Sequence, residues 1–123
     1  MKKFLLLLFV ILNCNSFVNS KETTFTNEIF KKAQMEGKTV VINSWNKTCI
    51  TCAEQIKVLQ EAEKKFNDVL FLSFEQTVDK DIAKFLGIDF WTTIVVYKNN
   101  KEVARIIGQT DKSVIYSNIN KGI

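Results

Sequence analysis

Short β-branched segments alternate with amphipathic ones along this chain, and this alternation restricts the fold more than any other feature of the sequence. Residues 39–45 (TVVINSW), 69–74 (VLFLSF) and 93–97 (TIVVY) are short and mostly apolar, as buried strands are. Between the first two, residues 49–66 repeat apolar side chains every three or four positions, which predicts an amphipathic helix. Strands that alternate with helices pair in parallel through right-handed crossovers.

The remaining segments complete a helix–strand order of α-β-α-β-α-β-β-α. A fourth strand, 103–107, follows the third after a predicted turn at 99–102, so these two strands form an antiparallel hairpin. The predicted fold is an α/β three-layer sandwich with a mixed four-stranded sheet.

Capping residues and apolar spacing set the predicted helix bounds. Thr24 or Thr26 caps a first helix that Gly37 ends, Asp79 caps a helix at 80–86, and Thr110 or Asp111 caps the last one. The apolar positions expected to face the core are Phe25, Ile29, Phe30 and Ala33 in the first helix, and Ala53, Ile56, Leu59, Ala62 and Phe66 in the second.

The first twenty residues have the order of a secretory signal peptide. Lys2 and Lys3 precede the apolar run FLLLLFVIL, and small and polar residues follow, ending at Ser20. The run is too short to span a bilayer, which needs about 20 residues. We expect cleavage after Ser20, leaving residues 21–123 as one domain. An uncleaved membrane anchor and a lipidated Cys14 are the alternatives.

Composition and charge narrow the functional classes. The chain is 46% hydrophobic and 24% charged, which is ordinary for a globular domain. Its net charge of +4 falls to +2 without Lys2 and Lys3, and no basic cluster indicates nucleic acid binding. Abundant Lys, Asn, Ile and Phe suggest an AT-rich bacterial genome. Together with the leader, this predicts a periplasmic or secreted protein.

Cys49 and Cys52 are the two cysteines outside the leader, and such a pair can bind a metal, form a structural disulfide or carry out redox chemistry. A zinc site needs four ligands, usually Cys or His, and the chain has no His and no second pair. A site shared between two chains stays open. A structural staple is disfavoured, because a disulfide stabilises least when it closes a short loop.

The position of the pair favours redox chemistry. Cys49 comes where a loop after a buried strand meets a helix N-terminus, where free N–H groups and the helix dipole stabilise a thiolate. Cys52 lies one turn into the helix, where we expect it to be covered. Since the thiolate is the attacking species in disulfide exchange, Cys49 is the predicted nucleophile and Cys52 the resolving thiol.

Two stretches resemble the thioredoxin superfamily. VVINSWNKTCITC is similar to that family's strand, Trp, three residues and Cys-x-x-Cys, and GIDFWTTIVVYKNNKEVARIIG is similar to its later strand pair with flanking glycines. The resemblance runs from about Glu28 to the C-terminus. It implies a thioredoxin-like fold and thiol–disulfide exchange at Cys49 and Cys52, with no metal or organic cofactor.

Two departures from the family pattern concern buried parts of the site. Thr92 stands where the family usually has a cis-proline opposite the cysteines. The bond before Thr92 is either trans, which changes the substrate groove, or cis under strain, since a non-proline cis bond costs about 2.5–4 kcal/mol. Asn43 replaces a buried aspartate of the well-studied reductases. Either the amide slows resolution because it cannot accept the Cys52 proton, or it is a satisfied core amide.

Other departures concern the surface of the site. Thr48 replaces a common Trp, so an aromatic partner contact is lost. Ile50-Thr51 lacks both the Gly-Pro of general reductases and the His of strong periplasmic oxidants. We therefore expect a reduction potential between those extremes. Trp45 is predicted to line the active-site surface, whereas Trp91 is predicted equally well as a groove residue or as core.

The sequence thus predicts an exported thiol–disulfide oxidoreductase that exchanges disulfides with protein substrates through Cys49 and Cys52. We expect it to be a monomer and to receive its redox equivalents from another protein at the membrane. The alternative is a thioredoxin-fold binding module whose pair stays oxidised. The residues around the pair are compatible with both oxidation and reduction of substrates.

Overall fold

The computed structural model describes residues 23–123, and the predicted leader with Cys14 and Ser20 lies outside them. Five strands and four helices follow one another in this part of the chain. In order they are β1 Thr23–Thr24, α1 Asn27–Met35, β2 Thr39–Trp45, α2 Ile50–Lys65, β3 Val69–Glu75, α3 Lys80–Leu86, β4 Thr93–Lys98, β5 Lys101–Ile107 and α4 Lys112–Asn120.

The strands form one mixed sheet in the order β1-β3-β2-β4-β5. β3 runs parallel to both β1 and β2, whereas β4 runs antiparallel to β2 and β5. The mixed α/β sandwich is confirmed, but the prediction of four strands is wrong, because β1 adds a fifth. With two residues paired to Leu72 and Ser73, β1 is too short to give a periodic signal.

A hydrophobic core lies on each face of the sheet, as a three-layer fold requires. On one face α1 and α3 pack through Phe30 and Leu86 against Ile42 and Phe74 of the strands. On the other face the second core contains, from strands and helices, Val41, Phe71, Ile94, Leu59 and Ile115. The three central strands β2, β3 and β4 are mostly buried on both sides, which explains their largely apolar sequences.

Several local predictions need correction. Thr26 rather than Thr24 caps α1, so Phe25 precedes the helix, although it is buried in the core. Asp79 occupies the N-cap position of α3 without capping it, and its Oδ2 instead accepts a hydrogen bond from the Glu75 N–H at 3.4 Å. On α2 the exposed Ala53 was wrongly assigned to the buried face.

The β4–β5 hairpin has a two-residue turn, not the predicted four-residue one. Asn99 and Asn100 have φ values of 51° and 63°, so both adopt the left-handed conformation of a type I′ turn. Asparagine tolerates this conformation better than most residues. Elsewhere the caps agree with the sequence, since Asp111 accepts the Val114 N–H at 3.1 Å at the start of α4. Within residues 23–123, no helix is both long and apolar enough to cross a membrane.

Candidate active site

The two cysteines lie at the N-terminus of α2, as the sequence predicts. Cys49 is the N-cap residue, and its Sγ accepts a hydrogen bond from the Cys52 N–H at 3.1 Å. Cys49 and Cys52 form a disulfide with their Cα atoms 5.2 Å apart. The sulfur therefore occupies the position of a capping oxygen, where a negative charge is stabilised by the free N–H groups of the first turn.

Burial distinguishes the two sulfur-bearing residues. Cys49 is half-buried, whereas Cys52 is only 1% exposed and lies on the inward face of α2. An incoming thiol or disulfide therefore has access to Cys49 and is excluded from Cys52. This asymmetry is what an attacking and a resolving thiol need.

The loop that delivers Cys49 is organised by Asn46, a residue that the sequence analysis missed. Its Oδ1 accepts hydrogen bonds from the N–H and the hydroxyl of Thr48, at 3.0 and 2.8 Å, and its Nδ2 donates to Thr77 Oγ1 at 3.0 Å. The Cys49 N–H donates to the Asn46 carbonyl at 3.2 Å. An asparagine after a strand and before a helix is a recognisable Asx-turn signal.

Asn43 lies in β2 under α2, on the same face as Val41. Its side chain is 2% exposed, and among the described residues its Nδ2 has no hydrogen-bond partner. With Leu59 and Glu63 of α2 it lines a small cavity of about 10 Å³, roughly the space of one water molecule. Burial raises the pKa of the Glu63 carboxyl. The prediction of a satisfied core amide is therefore not met for Nδ2.

Thr92 begins the segment that leads into β4, and the bond before it is trans, as are all peptide bonds of the described residues. Its φ is 57°, a left-handed conformation that β-branched residues rarely adopt. The Thr92 N–H donates to the Ser44 carbonyl at 2.9 Å, and its carbonyl accepts the Gly108 N–H at 2.9 Å. Thr92 therefore meets the end of β2 and the end of β5 through its backbone.

Gln55 is the second residue that the sequence analysis missed. It is fully buried on α2, one turn after Cys52, and its Nε2 donates to the Thr92 and Gln109 carbonyls at 3.1 and 2.9 Å. The available signal was a polar residue inside the apolar stripe of the helix. One amide thus joins the helix of the cysteines to the Thr92 segment.

Exposed apolar side chains surround this end of the sheet. Trp91 is 42% exposed, which answers the question of groove or core in favour of the surface. Phe90 beside it and Ile107, which pairs with Thr93, are also exposed, as is Ile50 next to Cys49. Trp45 is half-buried at the end of β2. Trp91 therefore supplies an aromatic side chain near the site, although Thr48 does not.

A larger cavity, of about 780 Å³, lies at the opposite end of the sheet. Its walls come from the start of β2, the start of β3 and the end of β4. Cys49 and Cys52 follow the other end of β2, so this cavity takes no part in their chemistry.

Comparison with known proteins identifies the family. The thioredoxin family model matches residues 16–121, a range whose start overlaps the end of the predicted leader. The chain is 30% identical over 90 residues to a thioredoxin H-type of Fagopyrum esculentum, covering 73% of this chain and 78% of that one. It is 31% identical over 83 residues to a thioredoxin of Mycoplasma genitalium, covering 68% and 81%.

The structure agrees with this assignment. It superimposes on the crystal structure of Trxlp from Edwardsiella tarda with a TM-score of 0.74 at 21% identity, covering 79% of this chain and 96% of that one. At this identity the match supports the fold alone, whereas the family rests on the sequence matches. The chain belongs to the thioredoxin family and, with the Cys49-x-x-Cys52 pair at the start of α2, is a thiol–disulfide oxidoreductase.

Proposed function

We propose that the protein is exported and exchanges disulfides with other proteins, Cys49 acting as the nucleophile and Cys52 as the resolving thiol. The observation that carries this proposal is the placement of the pair, with Cys49 half-buried at the N-cap of α2 and Cys52 buried one turn later. A disulfide used only as a staple has no need of this asymmetry.

The reaction follows from that placement. The Cys49 thiolate attacks one sulfur of a substrate disulfide, which breaks the substrate S–S bond and leaves a mixed disulfide and one substrate thiol. The Cys52 thiolate then attacks Cys49 Sγ, releasing the second substrate thiol and forming the Cys49–Cys52 disulfide. Two electrons pass to the substrate, and the two released thiolates take up protons. The reverse sequence oxidises a substrate dithiol.

Deprotonation of the Cys52 thiol is the step in which this chain is expected to differ from reductases that have an aspartate at the position of Asn43. Asn43 lies under the same helix but carries an amide, which cannot accept a proton. The buried Cys52 thiol must therefore ionise without a carboxylate at this position. We expect resolution of the mixed disulfide to be slow compared with the attack by Cys49.

Export is proposed from the leader pattern at residues 1–20, with cleavage near Ser20 and a periplasmic or secreted destination. In such a compartment cysteine pairs meet oxidants. A turnover cycle then needs a redox partner that restores the pair, and we place that protein at the membrane. We expect the exported domain to act as a monomer.

Trapping of intermediates tests this proposal. The Cys52→Ser variant, expressed with its leader, should accumulate mixed disulfides through Cys49, visible as adducts that disappear on reduction. The Cys49→Ser/Cys52→Ser variant is the matched control and should form none. Absence of adducts from the single variant, together with no reduction of insulin disulfides by the intact protein, would contradict the proposed turnover.

A second candidate is a thioredoxin-fold binding module whose disulfide stays closed. Two observations favour it, the amide at Asn43 and the Thr92 backbone, whose N–H and carbonyl are already bonded to Ser44 and Gly108 within the protein. This candidate predicts a closed disulfide in every cellular condition. Alkylation of free thiols in cells distinguishes the two, since a turnover enzyme shows a reduced fraction that changes with its redox partner.

A further inference from the structure

Gln55 is an energetically unfavourable residue at its buried position. It lies on the inward face of α2 with no exposed surface, between positions occupied by the buried Cys52 and Leu59. Burying an amide without full hydrogen bonding is unfavourable, and among the described residues its Oε1 accepts no hydrogen bond. A leucine or methionine would fill the same space without this cost. We therefore expect the two hydrogen bonds made by its Nε2 to have a function other than stability.

Those two bonds join separate segments of the chain. The Nε2 group donates to the carbonyls of Thr92 and Gln109, which belong to the segments before β4 and after β5. The same two segments are also joined by the Gly108 N–H and the Thr92 carbonyl. An amide nitrogen with two hydrogens is suited to bridge two carbonyl oxygens, whereas an acceptor at this place would be repelled.

The bridge made by Gln55 Nε2 can stabilise the backbone conformation of Thr92. A β-branched residue with a φ of 57° is strained, and strain of this kind persists where surrounding contacts over-determine it. Three hydrogen bonds converge on the Thr92 backbone, from Gly108 and Gln55 and to Ser44. A proline ring restrains the backbone covalently. The conformation of Thr92 depends instead on hydrogen bonds, which substitutions can remove one at a time.

We propose, resting on the proposed disulfide exchange, that Gln55 is a positioning residue for protein substrates. It fixes the Thr92 turn to the helix of the cysteines and so sets the place of the neighbouring, exposed Trp91. Gln55 touches neither substrate nor sulfur in this role. It determines how a polypeptide lies against the site, not how the sulfurs react.

Kinetics with large and small disulfides test the proposal. In Gln55→Met the KM for insulin should rise about tenfold, within the range expected for losing the two hydrogen bonds of Nε2, with kcat little changed. Reaction with glutathione disulfide should stay within about twofold of the wild type, because a small substrate does not need the Trp91 segment. Gln60→Met, an exposed position on the same helix, is the matched control and should change neither.

A pH profile separates positioning from simple packing. In Gln55→Glu the side chain keeps its shape. When the buried carboxyl ionises, it has no hydrogen left to donate, and its negative charge repels both carbonyl oxygens. The KM for insulin should then rise with pH, relative to the wild type, and be nearly normal where the carboxyl is protonated and still donates one bond. A pH-independent ratio between variant and wild type overturns the proposal.

Rescue and amide exchange complete the test. Thr92→Gly accepts a φ of 57° without strain, so adding it to Gln55→Met should reverse at least half of the increase in KM. Hydrogen exchange at the Thr92 and Gly108 amides should accelerate about tenfold in Gln55→Met. An equal loss towards insulin and glutathione disulfide, or unchanged exchange, contradicts the positioning role. A wild type that reacts with neither disulfide instead contradicts the proposed function, and exchange then still decides whether Gln55 holds the turn.

Discussion

Replacing Asn43 by aspartate is the sharpest perturbation of this site, because it adds a carboxyl group without changing the shape of the side chain. Asn43 is 2% exposed, and the residues that share its cavity are Leu59, Phe71 and other apolar groups, with Glu63 as a second carboxyl. None of these neighbours is a cation. An ionised carboxylate here would lack both water and a counter-charge.

The size of the effect follows from this burial. A carboxyl at such depth has its pKa raised by about three, and each unit corresponds to about 1.4 kcal/mol. We expect Asn43→Asp to lower the free energy of unfolding by about 4 kcal/mol at pH 8 and by no more than about 1 kcal/mol at pH 4. The sign follows from linkage: the folded state binds the proton more tightly, so stability falls as pH rises above the unfolded value near 3.9.

The same carboxylate should accelerate resolution. Asn43 and Leu59 line one cavity, and Cys52 lies on the same stripe of α2 as Leu59, two turns earlier. A general base near the resolving thiol typically contributes 10²-fold or more, so decay of the mixed disulfide should speed up by about 10². The gain should appear over the same pH range as the loss of stability, because one ionisation causes both.

Two measurements check this prediction. Urea unfolding of the oxidised variant between pH 4 and 8 gives the stability, and single-turnover decay of the mixed disulfide gives the rate. Asn67→Asp, an exposed position, is the control and should change the free energy of unfolding by less than about 0.5 kcal/mol. A pH-independent stability loss, or a rate gain at a pH where stability is unaffected, would refute the reasoning.

Three further substitutions test the surroundings of the site by urea unfolding. Glu63→Gln should be more stable than the wild type at pH 7, because burial raises the Glu63 pKa and ionisation therefore costs stability; the difference should vanish well below pH 4.5. Leu59→Ala should lower the free energy of unfolding by about 3 kcal/mol, since this side chain of α2 is buried in the core between the helix and the sheet. Thr26→Ala should lower it by about 1 kcal/mol, because the Thr26 hydroxyl caps α1.

For each of these three substitutions, one result would contradict the predicted effect or its stated cause. A Glu63→Gln difference that persists unchanged at pH 3.5 shows that ionisation is not its cause. A Leu59→Ala cost below about 1 kcal/mol means that the helix repacks without a cavity. An unchanged Thr26→Ala variant means that the capping bond at 3.2 Å contributes nothing measurable.

The sequence predicted what depends on local pattern. Alternating strands and helices give the three-layer fold, and the position of Cys49 after a strand and before an apolar stripe places it at a helix N-terminus. Both follow from periodicity and from the physics of free N–H groups, and neither needs distant contacts. Thr26 was one of the two predicted caps, and placing Phe25 inside α1, two residues before the helix begins, is an error of the usual size for an element boundary.

The parts that escaped prediction depend on contacts between distant residues. Gln55 has a role only because Thr92 and Gln109, remote in the chain, meet beside the N-terminal half of α2. The trans bond and positive φ of Thr92 are fixed by Ser44 and Gly108, which no local pattern reveals. β1 forms only because β3 offers an unpaired edge beside it. Tertiary contacts of this kind decide how the site is built.

A redox titration of the Cys49–Cys52 pair tests most directly whether this protein works by turnover. The pair is equilibrated in glutathione and dithiothreitol buffers, and the oxidised fraction is read by thiol alkylation, with the Cys49→Ser/Cys52→Ser variant as blank. We predict one two-electron transition, with a midpoint between about −270 and −120 mV. An oxidised fraction that stays constant across this whole range contradicts the account, because a disulfide that never opens cannot exchange with a substrate.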